Sequence, residues 1–396
     1  MSVVRYDHIV IGAGALGAAA AYWLSAAGRG RTLVCEQFAA GHPWGSSDDH
    51  SRIIRHAYHS PIYTALTPSA YRLWGEVEAR AGERLLIRSG GLDLAREGSA
   101  GHDVMRLYGR SMDAAGLPYE EFGAAELRRR WPDWHVPDDT VALYQAEGGL
   151  IDIRAATAAH LRLATRQGAQ VLEECLVHDV ESGDDGVVVH TSRGTFAAGA
   201  LVMCAGSWAG GLLDRLGSPF PLELTQEQVQ YFTVDDAARF TPDRFPIWIW
   251  HADHEIYGIP VYGERAVKVA RDMTGKFVTP ETRGHIPDPA ETEFVRAFVR
   301  EILPAWAGEL ALAKTCVYDL PRDRELVIGA LPGNPRVFVA VGAGHAGKFA
   351  TLIGRALADL VTEGGTPYAV EPFSPGRPGL AADAPALYRL GIRELT

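Results

Sequence analysis

The sequence predicts an α/β chain in which one nucleotide-type domain is interrupted by a second domain built mainly from mixed or antiparallel sheet. Three observations carry this. Strand–glycine turn–helix units stand near both ends, in "HIVIGAGALGAAAAYWL" and "RVFVAVGAGHAGKFATLIGRALADLVTEG". Between about 222 and 272 the pattern is mostly strand: "QVQYFTV", "PIWIW", "IYGIPVY", "AVKVAR". The 396 residues, 47% hydrophobic and 22% charged, suffice for two or three domains with buried cores. The expected division gives 1-85, 150-220 and 316-396 to the first domain, and 86-149 and 221-315 to the second.

In order along the chain, "HIVI" is a β-branched run bounded by glycine and predicts the first strand. The helix through Tyr22 and Leu24 closes at Gly28, a C-cap, and "TLVCE" is the second strand. "YTALTPSAYRLWGEVEARAG" (63–82) predicts an amphipathic helix, and "ERLLIRSGGLDLA" two short strands around a Gly-Gly turn. Helical spacing recurs at about 102–115 and 152–168, followed by strands joined at "GDDG" and "SRG". In the last helix Phe349, Leu352, Ile353, Ala356, Leu357, Leu360 and Val361 share one face.

Composition excludes several function classes. The net charge is −11 with no Lys/Arg-rich run, so nucleic acid is not an expected partner. Four scattered cysteines form neither a disulfide framework nor a metal motif, and a reducing, cytoplasmic setting is expected. No basic n-region with a long apolar segment, no membrane-length apolar run and no retention signal in "RELT" is visible.

Gly12, Gly14 and Gly17 form G-x-G-x-x-G between the first strand and its helix. Gly12 permits the tight turn, Gly14 lets backbone approach a pyrophosphate, and Gly17 allows close helix–strand packing. Glu36 ends the second strand, where an acid accepts bonds from a ribose diol. This Rossmann-like fingerprint serves FAD and NAD alike.

Six further stretches bear on that choice: "IGAGALGAAAAYWL", "GSSDDHSRIIRHAYHSPIYTALTPSAYRLWGEVEARAGERLLIRSGGL", "LVMCAGSWAGGLL", "IYGIPVYGERAVKVA", "KTCVYDLPRDRELVIG" and "VAVGAGHAGKFA". Together they resemble flavin amine oxidases of the monomeric sarcosine oxidase type, a family that includes N-methyltryptophan oxidase and pipecolate oxidase. The resemblance covers nearly the whole chain, and "RIIRHAY…YRLW" is similar to the pipecolate oxidase branch. It implies a Rossmann-like FAD-binding domain, a small amino-acid-like amine as substrate, O2 as acceptor and a monomer. It also implies FAD held covalently through a cysteine in a K-x-C-x-Y-like context, here Lys314, Cys316 and Tyr318. Without the resemblance, Cys316 reads as an ordinary buried thiol.

The same resemblance assigns roles. Arg55 and Lys348 would clamp the substrate carboxylate, a task suited to a planar guanidinium fork and a compact ammonium. Read alone, Arg55 is a surface ion-pair arginine and Lys348 a solvated lysine, although lysine at a helix start opposes the dipole. Arg52 would lie against the flavin, preceded by Ser51. Lys268 alternates with Val267 and Val269 and by itself reads as solvent-facing; the resemblance makes it the lysine near flavin N5 that activates O2. Tyr257 would line the substrate pocket. Asp48 and Asp272 stand where relatives carry histidines, with His50 a neighbour able to compensate. His345 matches the family, and Ser46, Val177, Gly342, Gly344 and Gly347 complete the implied cofactor-binding set. No metal ligands are expected. Trp248 and Trp250 suggest a roomy aromatic pocket or simply core.

The expected reaction is oxidation of a secondary amino acid, N-methyl or cyclic. A hydride passes from the carbon beside nitrogen to flavin N5, the imine hydrolyses, and O2 yields H2O2. Alternatives are oxidation of a primary amino acid or biosynthetic amine, a nicotinamide-dependent dehydrogenase on the same fingerprint, and a non-catalytic flavin-binding or partner-binding protein.

Overall fold

The computed structural model describes residues 3–26, 28, 30–218 and 220–389. Strand β1 (Val4–Ile11) enters helix α1 (Ala15–Ala26), and β2 (Thr32–Cys35) returns parallel to β1. Buried Ile9, Val10, Leu33 and Val34 explain the unbroken apolar runs, since this sheet is covered on both faces. Strand Gly194–Met203 lies parallel to β1 on its other side, and Gln170–Leu172 flanks β2. Asn334–Val341 joins in parallel at Leu201–Met203, bringing the C-terminal strand–turn–helix unit into the eight-stranded sheet. The first domain is thus discontinuous in sequence, as its two glycine turns suggested.

Small residues let α1 sit between helices Ile153–Arg166 and Ala350–Glu363. A Cβ at Gly354 would lie 2.5 Å from the Ala19 carbonyl carbon, so only hydrogen permits that approach. The second, nine-stranded sheet runs Lys276–Val278, Glu223–Phe232, Val267–Arg271, Ile256–Ile259, Ile247–Trp250, Gly91–Arg96, Thr140–Gln145, Glu120–Gly123, with Leu310–Leu320 beside Glu223–Phe232. It is mixed: Ile247–Trp250 pairs in parallel with Gly91–Arg96, and its other pairings are antiparallel. A separate three-stranded sheet is formed by Arg52–Ile54, Gly149–Ile151 and Leu86–Arg88.

Several expectations change. Leu86–Arg88 and Gly91–Arg96 flank the Gly-Gly segment but join different sheets rather than each other. The domain boundary expected at 316 falls inside Leu310–Leu320, which places Cys316 in the second sheet. Trp248 and Trp250 belong to the core with Trp134, Phe245 and Trp306, so they build the second domain rather than a pocket. Helix Pro289–Ile302 was not foreseen, though its start is written in sequence: Asp288 accepts from Ala290 N at 2.8 Å, and Pro289 fills the first turn. Among the described residues no helix is long and apolar enough to cross a membrane.

Candidate active site

One cavity of about 730 Å³ runs from the β1–α1 turn to the face of the second sheet. At its first end the glycine fingerprint is explained by close approaches. Gly12 has φ +93°, and a Cβ there would sit 2.4 Å from Cys204 O; a Cβ on Gly17 would meet Gly12 O at 1.9 Å. Gly14 has a single neighbour close by, Ser47 Oγ, 3.0 Å from where its Cβ would be, and it faces the cavity. Gly12 and Gly14 line the cavity, whereas Gly17 serves only helix–strand contact. Glu36 is buried at the end of β2. Burial pushes its carboxyl up, but His42 and the amides of Ala13 and Phe38 outweigh this and hold it below the usual range. With two bonds from backbone donors at 2.8 and 3.0 Å, the carboxylate keeps lone pairs for a diol.

Val177, Ser46, Ser51, Gly342, Gly344, His345 and Gly347 all line the same cavity. Ser46 Oγ donates to Val317 O at 2.5 Å, pinning the loop before Arg52 to the strand carrying Cys316. Gly344 has φ +82°, and a Cβ would strike the Tyr318 ring at 2.5 Å. His345 faces Arg324 O at 3.3 Å; burial and nearby cations hold its imidazole well below its ordinary pKa and therefore neutral.

At the far end five cations converge on the wall: Arg52, Arg55, Lys268, Arg324 and Lys348. Arg52 donates to Ser51 O and Ser46 O, both at 2.8 Å. Lys268, 2% exposed, donates to Asp49 Oδ2 at 2.5 Å and to Ser51 O at 3.0 Å. Arg55 is held by Asp93 through Nη1 and by Tyr108 OH at 3.3 Å. Asp93 also meets His251 Nε2 at 2.9 Å, whose Nδ1 meets Glu255 at 2.7 Å. Arg324 pairs with Asp272 at 2.5 Å, and Tyr318 OH donates to the same carboxylate at 3.2 Å. Lys348 has no ion-pair partner among the described residues and stands 5.2 Å from the Tyr58 ring centroid. Burial, followed by the like charge of Arg55, lowers its pKa to about 7.

Cys316 is partly exposed and lines the cavity. Burial raises its thiol to about 11 against the opposing pull of Arg52. Directly across the ladder is Glu227, buried, with Oε1 unpartnered among the described residues and its pKa pushed up to about 7 by burial.

Two expected acids part company. Asp272 and Tyr257 line the cavity, with Asp272 neutralised by Arg324. Asp48 lies outside this wall, paired with Arg154 at 2.6 Å and Lys314 at 3.7 Å. The acid that meets Lys268 is the next residue, Asp49, because the loop turns successive side chains to opposite sides. His50 also points elsewhere, to Glu264 at 2.9 Å. Asp49, Asp93, Glu255 and Arg324 were missed; the adjacent acids in "SSDDHSR" were the only signal for Asp49.

A family model described as DAO, FAD dependent oxidoreductase, matches residues 7–360. The chain belongs to the FAD-dependent oxidoreductase family. A monomeric sarcosine oxidase of Streptomyces avermitilis is 38% identical over 395 residues, covering 96% of this chain and 99% of that protein. An N-methyl-L-tryptophan oxidase of Salmonella arizonae is 30% identical, covering 93% and 98%. Among solved structures, NikD, an unusual amino acid oxidase essential for nikkomycin biosynthesis, superposes with TM-score 0.83 at 26% identity, covering 94% and 98%. L-proline dehydrogenase from P. horikoshii shares the fold, with TM-score 0.84 at 20% identity, covering 94% and 98%. The glycine cradle, the free lone pairs of Glu36 and the unbroken cavity to the cationic wall fit FAD, the family's cofactor.

Proposed function

We propose that this FAD-dependent oxidoreductase is an amine oxidase of a secondary amino acid, N-methyl or cyclic, and that Cys316 tethers its flavin. The observation that carries the reading is the single cavity joining the dinucleotide cradle to Cys316, Lys268 and Lys348. When bound, FAD supplies the two-electron acceptor for the carbon beside nitrogen and passes the electrons to O2, giving H2O2.

The chain's own residues do the rest. Lys348, without an ion-pair partner among the described residues, takes the substrate carboxylate, with the Arg55 guanidinium nearby. The carboxylate offsets the charge that burial makes costly for Lys348, so each stabilises the other. Tyr257 and Tyr318 flank the cavity and exclude water from the reacting carbon. Lys268 presents positive charge where electrons reach O2. Arg52 braces the loop between the two. Fixed orientation in a cationic pocket supplies much of the rate acceleration.

The test is a peroxide assay with the FAD-loaded protein over sarcosine, other N-methyl amino acids, proline and pipecolate. Turnover with at least one and none with simple primary amines supports the reading. Peroxide only with primary amines overturns the substrate class.

A further inference from the structure

Lys268 sits between buried Val267 and Val269 on a central strand, where an ammonium needs a fixed counter-ion. Asp49 provides it, and the carboxylate is itself fully engaged. Its Oδ2 accepts from Lys268 at 2.5 Å and Arg52 at 3.2 Å; its Oδ1 accepts from His50 N at 2.8 Å and from Tyr231 OH. Tyr231 stands directly opposite Lys268 on the neighbouring strand, so acid, phenol and lysine form one buried unit. Two of the three ammonium protons go to Asp49 and Ser51 O, which leaves one for the cavity. Arg52, Tyr257 and Cys316 also act on this unit, and the His50 ring packs edge-on against Tyr231.

Resting on the reading that Lys268 serves the oxygen step, we propose that Asp49 is a positioning residue for that step. It fixes the place and charge of the Lys268 ammonium and, with Tyr231, aims its remaining N–H at the cavity. Removing the carboxylate leaves Lys268 buried beside Arg52 with no counter-ion. The ammonium then sheds its proton at lower pH, and its positive charge is lost from the cavity wall.

The experiment uses FAD-loaded Asp49→Asn, which keeps the side-chain shape, with Tyr231→Phe as a second variant and Lys268→Met as control. Each is reduced anaerobically with the best amine from the panel and then mixed with oxygenated buffer at a series of pH values. In Asp49→Asn the reoxidation rate constant at pH 8 falls at least about tenfold. Its pH profile moves down by about one unit or more, while reduction by the amine stays within about threefold. Tyr231→Phe, which leaves the carboxylate charged but removes one of its donors, shifts the profile by less. The visible spectrum of the resting flavin, titrated with pH, shows an inflection at lower pH in Asp49→Asn, absent in Lys268→Met. If Lys268→Met slows reoxidation but neither Asp49→Asn nor Tyr231→Phe moves the profile or the spectral titration, the proposal falls alone. If Lys268→Met reoxidises normally, the oxygen role of Lys268 falls and the proposal with it. Should Asp49→Asn not fold, the Tyr231→Phe profile decides: an unshifted one overturns the proposal.

Discussion

Arg55 donates through Nη1 to Asp93, so the guanidinium expected to grip the substrate is already matched by an acid within the wall. His251, buried, and the partly exposed Glu255 extend the pair into a row of alternating charge. Lys348, over the same Tyr58 ring, has no such ion-pair partner among the described residues, and on the proposed reading this asymmetry makes it the cation left for a substrate carboxylate.

Lys348→Met therefore raises KM for the amino-acid substrate about tenfold to a hundredfold, with a smaller change in kcat, as expected for loss of a charged hydrogen bond. The ammonium, with its pKa lowered to about 7, is charged below that pH and neutral above it. Carboxylate affinity in the wild type consequently declines as pH rises past about 7, and the variant lacks this limb. Initial-rate kinetics over a pH series measure both; a KM indifferent to Lys348 returns the carboxylate to Arg55 alone.

The His251 row makes stability depend on alkaline pH. Burial would lower this imidazole, but Glu255 and Asp93 overcome it and hold the pKa at about 9. Its folded value lies above the ordinary 6.5, so the contribution is fully present below about 6.5 and lost as pH rises through about 9. The amount is on the order of 3 kcal/mol. Urea unfolding at pH 6 and pH 9.5 should show this decline, and His251→Gln should flatten it.

The three fingerprint glycines should fail in graded order. Gly17→Ala drives a methyl into Gly12 O and costs about 2–5 kcal/mol, with loss of bound flavin. Gly12→Ala adds left-handed strain to a backbone collision. Gly14→Ala meets only the Ser47 hydroxyl and is mildest in melting temperature. Flavin content and thermal melts rank the three, and equal losses contradict the contacts.

Cys316→Ser keeps the cavity and its cations. It should bind FAD yet release all of it on boiling in detergent and desalting, whereas the wild type retains yellow, fluorescent polypeptide. Release from the wild type sinks the tether.

Much of this protein was legible along the chain. The strand–glycine–helix units, the roles of Gly12 and Gly17, the acid at Glu36 and the discontinuous first domain depend on short spacings set by local backbone geometry. The buried helix face through Leu352, Ile353, Ala356 and Leu357 follows from the helical period in the same way. Partner choice did not follow: Leu86–Arg88 and Gly91–Arg96 were visible as strands, but strand pattern carries no record of which edge each will meet. The site's electrostatics were hidden for the same reason. Asp49 and Lys268 lie 219 positions apart and Arg55 and Asp93 lie 38 apart, so neither pair has a sequence signature. Whether Asp48 or Asp49 faces inward depended on how one loop is pinned by Arg52 and Ser46. Local spacing alone thus determined the glycine turn with its acid and the kind of fold. Tertiary packing decided which charges are spent on one another and which remain for a ligand, because only folding brings distant ions within range while excluding the water that would screen them.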